Sequence, residues 1–154
     1  MLCLITVFIF TISSFVFAYD KELAKSFYIM FSPMTPEVLA KNPGLINAKQ
    51  LLEMIKNKEP FVILDVRTPE ERAIVGITWK DRLEIPVHEL FKEENLNKLP
   101  KDKKIVVICH TGSTRSFPAV LALRALGFMN AYALDGGIIE LARQAGRQTY
   151  NFLH

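Results

Sequence analysis

Residues 109–116 read Cys109-His110-Thr111-Gly112-Ser113-Thr114-Arg115-Ser116, a thiol followed by a hydroxyl-rich turn with one glycine and then an arginine. The stretch follows the apolar run Ile105-Val106-Val107-Ile108 and leads into a largely apolar segment that reaches Leu126. This order predicts a strand, a tight turn and a helix, with the sulfur at the strand's carboxyl end. Backbone N–H groups that open a helix converge on a concavity, and the helix dipole adds about half a positive charge there. A thiol so placed ionises easily, because cysteine falls from about 8.5 to roughly 3.5–7.5 at helix N-termini or beside cations.

Cys109 is therefore the candidate nucleophile, and His110, Thr111, Gly112, Ser113, Thr114, Arg115 and Ser116 are the candidate substrate-binding residues. Arg115 presents a planar cationic fork that suits an oxyanion, with a plain carboxylate salt bridge as the competing role. An arginine at a helix start opposes the dipole and needs an anion, which favours the oxyanion role. His110 either biases the thiol electrostatically or points away from it. Gly112 has a conformational part to play.

The surrounding pattern supplies elements to hold this turn. Phe61-Val62-Ile63-Leu64 is a short unalternating apolar run, the mark of a strand covered on both faces, and Asp65 ends it. Thr68, Pro69 and Glu71 provide an N-cap, an N1 proline and a capping-box acid, so a helix begins directly after that strand. Asn47 and Gln50 form a similar box ahead of Leu51, Leu52 and Ile55, predicting a helix over 48–57. A weaker strand is expected at 83–87 and a last one at 131–134, and the helix after Cys109 should span about 115–126 with Gly127 as a left-handed terminator. Strand–helix alternation of this kind implies an α/β fold with a mostly parallel central sheet and helices on both faces. Ligands of such sheets gather at the strands' carboxyl ends, where Cys109 falls.

The chain has 154 residues, 50% hydrophobic and 23% charged, enough for one domain with a good core and too few for a second. Its 19 basic and 16 acidic residues are scattered without a Lys/Arg block, which argues against nucleic acid as a partner. Residues 1–18 carry no charge and read as an export signal cut after Ala18, placing the protein in the periplasm or outside the cell. No Lys or Arg precedes that run, and its length is near the roughly 17–25 residues that span a bilayer. An uncleaved anchor holding the domain outside the cytoplasm, the one case that makes the membrane a partner, is the alternative. Residues 19–45 read as a lead-in segment broken by Pro33, Pro36, Pro43 and Gly44, and 46–154 as the domain proper.

Only Cys3 and Cys109 exist, so removing the signal leaves one unpaired thiol. That is notable where paired cysteines oxidise. His88, His110, Cys109 and His154 lack the close spacing of zinc ligands, and no flavin or nicotinamide motif occurs. No metal and no cofactor is expected.

Three further motifs complete the pattern: Leu64-Asp65-Val66-Arg67-Thr68-Pro69-Glu70-Glu71, Glu84-Ile85-Pro86 and Leu134-Asp135-Gly136-Gly137-Ile138. Together with the Cys109 turn they make the stretch from Ile46 to about Gln144 resemble a rhodanese (sulfurtransferase) domain. The resemblance implies the rhodanese-like fold and a two-step cycle, in which Cys109 accepts sulfane sulfur from a small sulfur-containing anion as a persulfide and passes it to a thiol or protein acceptor. It also implies that Asp65 and Arg67 are structural residues near the site.

The sequence departs from the family pattern in two places. Gly76-Ile77-Thr78-Trp79-Lys80-Asp81 replaces the usual stretch before the middle strand, so Trp79 either reshapes the pocket mouth or simply packs. Five residues, His110 to Thr114, separate cysteine and arginine where sulfurtransferases of this fold usually have four. The longer spacer resembles rhodanese-fold phosphatases and arsenate reductases. Against a phosphatase, Ile108 stands where those enzymes typically carry histidine. Against arsenate reduction, the mature chain offers no second cysteine to resolve an oxidised Cys109. A non-catalytic docking module is the remaining alternative.

Overall fold

The computed structural model of the chain describes residues 19–41 and 43–153. The proposed export segment 1–18 with Cys3, and His154, lie outside the described residues.

Five strands form one all-parallel sheet: β1 (Leu45–Ile46), β2 (Phe61–Asp65), β3 (Arg82–Glu84), β4 (Lys104–Ile108) and β5 (Ala131–Leu134), in the spatial order β1-β5-β4-β2-β3. The two apolar runs become the central pair, with Asp65 opposite Ile108, so Cys109 emerges beside the carboxyl end of β2. Both faces are covered, because successive side chains of a strand point to opposite sides. Ile105 and Val107 face Leu90 of α5 (Val87–Leu90) and Ala119, Val120 and Leu123 of α7 (Ser116–Ala125). Val106 and Ile108 face Leu51 and Met54 of α3 (Ala48–Lys56) and Ile138 of α8 (Gly137–Leu153). This alternation within one strand is what a fully buried parallel strand requires.

The predicted capping signals form as read. Asn47 and Gln50 close a reciprocal box at the start of α3, and Thr68 and Glu71 do the same for α4 (Pro69–Ile74), with Pro69 in the first turn. Gly127 ends α7 at φ 95°, a left-handed conformation that glycine adopts without strain.

Two expectations change. The lead-in segment, although broken by its prolines, holds α1 (Lys21–Phe31) and α2 (Pro36–Leu39). Asp20 caps α1 by accepting from the Leu23 N–H at 3.0 Å, and Met30 is buried. The prolines counted as breakers lie beyond α1, and Pro36 occupies the first turn of α2, where proline starts a helix. The weak strand is shorter and earlier, Arg82–Glu84 instead of 83–87. It lies at the sheet edge, where the N–H groups of Ile85 and Val87 still bond to Asp65 and Val66 carbonyls while Pro86 contributes none.

Trp79 is not at the pocket mouth. Its ring stacks on Phe61 with centroids 4.8 Å apart and planes within 3°. Phe61 pairs with Lys104 at the amino end of β2, the end away from Cys109. Trp79 packs against the face that carries α3 and α8. Two short helices, α5 and α6 (Glu93–Leu96), complete the connection between β3 and β4.

Candidate active site

Cys109 follows the last residue of β4, and its loop folds back so that α7 starts at Ser116, with Arg115 as the N-cap residue. The Gly112 N–H donates to the Cys109 sulfur at 3.2 Å, and the Ser116 hydroxyl lies 3.3 Å from it. Burial by itself pushes the thiol's pKa up. The Ser116 hydroxyl and the backbone N–H groups of Ser116, Arg115 and Gly112 outweigh it and hold the value below that of an ordinary thiol. The anion cradle expected of a turn opening a helix is thus present.

Ser116 has one proton for two neighbours. Its hydroxyl donates to the Gly112 carbonyl at 2.8 Å, which leaves its oxygen to accept from a protonated Cys109. When Cys109 ionises, stabilising the thiolate requires the Ser116 proton to turn towards sulfur. Ser116→Ala removes that donor, so the Cys109 pKa is expected to rise towards the ordinary range. Thiol alkylation rate against pH measures the shift, and an unmoved profile would assign the low value to the backbone alone.

Backbone approaches backbone to hold the loop in place. Gly112 (φ 84°) and Gly137 (φ 57°) both occupy left-handed conformations. A Cβ on Gly137 would lie 2.5 Å from the His110 carbonyl oxygen and 2.6 Å from both the Cys109 oxygen and the Gly112 nitrogen. Only glycine fits at such separations. The Ile138 N–H, in the first turn of α8, bonds the Cys109 carbonyl at 2.9 Å. The double-glycine turn therefore acts as the seat of the cysteine loop.

The other predicted residues divide. His110, Thr111, Ser113 and Thr114 are exposed on the outer side of the turn, and Thr111 and Ser113 join hydroxyls at 3.2 Å. The contacts that reach the sulfur come from Gly112 and Ser116, with the Arg115 backbone N–H adding to them. Cys109 itself is 0% exposed, its side chain bordered on one side by the hydrocarbon of β4 and α7 and on the other by these donors.

Arg115 forms the carboxylate pair that was its competing role. Its two terminal nitrogens each lie 2.6 Å from an oxygen of Glu71, a bidentate pair. The sequence marks Glu71 only as a capping residue and carries no local signal of this pairing, since the two are 44 positions apart. The hydrogen bond from Arg115, then that from the Thr68 N–H, holds the Glu71 carboxyl down to about 2. The pair raises Arg115 in turn, and the guanidinium also couples to the Cys109 charge.

Beneath this pair lies a second one. Arg67 donates through Nε and Nη2 to the Asp65 carboxylate, the shortest contact being 2.7 Å, and both residues are 1% exposed. Asp65 also accepts the Arg67 backbone N–H at 3.1 Å, and Arg72 donates to the Arg67 carbonyl. The two residues tie the end of β2 to the start of α4.

The chain is similar in sequence and fold to known proteins. A profile of the rhodanese-like domain matches residues 47–144. A sulfurtransferase of Allochromatium vinosum is 33% identical over 98 residues, 64% of this chain and 87% of that protein. The probable adenylyltransferase/sulfurtransferase MoeZ of Mycobacterium tuberculosis is 35% identical over 105 residues, 68% of this chain and 26% of that protein, so the chain spans about a quarter of its length. Among solved structures, a rhodanese-related protein from Thermoplasma volcanium superposes with a TM-score of 0.55 at 37% identity, covering 65% of this chain and 91% of that one. The strand order, the cysteine at the carboxyl end of β4 and the glycine seat under its loop, taken with these matches, make the chain a member of the rhodanese-like domain family, among whose members are sulfurtransferases.

Proposed function

We propose that the protein is a persulfide-forming sulfurtransferase or sulfur carrier, with Cys109 as nucleophile. The observation that carries this reading is the set of donors around a single sulfur: the Ser116 hydroxyl and the N–H groups of Gly112, Arg115 and Ser116 favour the thiolate over the thiol. The same donors would hold the outer sulfur of a persulfide after uptake.

The atoms balance without an added oxidant. The Cys109 thiolate attacks the outer sulfur of a donor R–S–SH, the donor's S–S bond breaks, and RS⁻ leaves with the electron pair. The enzyme then carries Cys109–S–SH, whose outer sulfur is taken by a second nucleophile, and the Cys109 thiolate returns. With Cys109 closed to solvent, uptake requires the exposed side chains of the loop, those of His110, Thr111, Ser113 and Thr114, to part while Gly112 stays seated on the double-glycine turn.

Export through residues 1–18 is part of the same proposal, with an uncleaved anchor as its variant. A sulfur-handling site outside the cytoplasm would draw on small sulfur-containing anions as donors and on a thiol or protein acceptor.

Intact-mass spectrometry tests the assignment. Incubation with glutathione persulfide, polysulfide or thiosulfate is expected to add one sulfur atom to Cys109 from at least one of these donors, removable by a dithiol. No gain from any donor would overturn it.

A further inference from the structure

Five residues between Cys109 and Arg115 make a loop wide enough, by family resemblance, for a tetrahedral oxyanion. The charges around it say otherwise. Arg115 is the one permanently cationic residue of the loop 109–116, and both of its terminal nitrogens are committed to Glu71 at 2.6 Å. Glu71 is itself fixed: its Oε2 accepts the Thr68 N–H at 2.9 Å, and its backbone N–H bonds the Thr68 hydroxyl. The next pair inward, Asp65 with Arg67, is likewise internally neutral. A divalent oxyanion entering the loop would have to break a bidentate pair or lie beside a carboxylate that is ionised at any working pH.

We infer that Glu71 sets donor specificity: by occupying Arg115 it turns the loop against divalent oxyanions such as thiosulfate, phosphate and arsenate, and leaves it open to the sulfane sulfur of thiol persulfides. The inference rests on the sulfur-transfer reading above and narrows it. A thiol persulfide presents at most one charge at its reacting end, on the sulfur that the Gly112, Arg115 and Ser116 N–H groups are placed to receive. It needs no guanidinium. With thiosulfate, attack by the Cys109 thiolate on the outer sulfur would expel sulfite with its electron pair, and that dianion would leave past the same Glu71 carboxylate. Glu71 acts through Arg115, as a positioning residue.

Glu71→Gln is the informative variant, since glutamine keeps the capping box while releasing Arg115. Its ratio of kcat/KM for thiosulfate over glutathione persulfide is expected to rise about tenfold or more above wild type, through a lower thiosulfate KM. A ratio unchanged while both proteins transfer sulfur would overturn the inference. Anion capture is read separately from transfer in a Cys109→Ser background by titration calorimetry with thiosulfate. Affinity is expected to tighten about tenfold on adding Glu71→Gln and to fall back on adding Arg115→Gln as well. Equal affinity in all three proteins would overturn the inference even if wild-type transfer is robust. Absence of transfer in wild type together with the expected affinity pattern would sink the transferase reading and leave the anion selectivity standing.

Discussion

Cys109→Ser is expected to abolish sulfur uptake, with a loss on the order of a thousandfold or more in transfer rate, while the domain keeps its fold. Serine retains the hydrogen bonds to Gly112 and Ser116 in a fully buried site, so the loop has no reason to collapse. What it lacks is an accessible anion, since a hydroxyl stays protonated in surroundings that lower the pKa of a thiol. Wild-type activity should rise with pH along one ionisation whose midpoint lies below that of an ordinary thiol. The same displacement affects stability. A folded-state pKa held below the unfolded value stabilises the native protein above the unfolded thiol's pKa, and that contribution is lost as pH falls through the folded value. Transfer assays with glutathione persulfide and a dithiol, paired with a melting curve of each protein, check both statements. Sulfur transfer surviving in a folded Cys109→Ser variant would place the chemistry elsewhere.

Much of this site was legible because its signals are local. The apolar runs at 61–64 and 105–108, the two capping boxes and the glycine after Leu126 each report on neighbours a few positions away, and each formed. The strand–turn–helix around Cys109 belongs to the same class. The Glu71–Arg115 pair does not. It joins a helix after β2 to a helix after β4, and its existence depends on the sheet order that makes those strands neighbours. Sequence supplied the argument that Arg115 needs an anion, and the fold decided that the anion is internal. The lead-in segment hides its helices for a different reason: its prolines mark only where a helix stops or starts, and α1 lies wholly before them. Of the two roles the sequence leaves open for Trp79, the structure shows packing, because the ring stacks at the far end of β2.

The second large effect concerns stability. Asp65→Ala should destabilise the domain by about 3–5 kcal/mol, the cost of leaving a buried charge without its partner. Arg67 is 1% exposed and directs its guanidinium at the Asp65 carboxylate; truncation leaves it no water and removes the acceptor of its own backbone N–H. Against a typical domain stability of about 5–15 kcal/mol, such a loss brings the protein close to unfolding. Replacing both residues together, Asp65→Leu with Arg67→Met, should cost much less, because no charge is then stranded. Urea denaturation of the single and double variants distinguishes the cases, and a single-variant loss below about 1 kcal/mol would contradict the buried-pair argument. The pair bears on chemistry only through position. Asp65 sits in register with Ile108, one residue before the nucleophile, and Arg67 leads into the helix that carries Glu71. Activity per folded molecule in the double variant should therefore persist, and its disappearance in a well-folded protein would move Asp65 and Arg67 from scaffold to site.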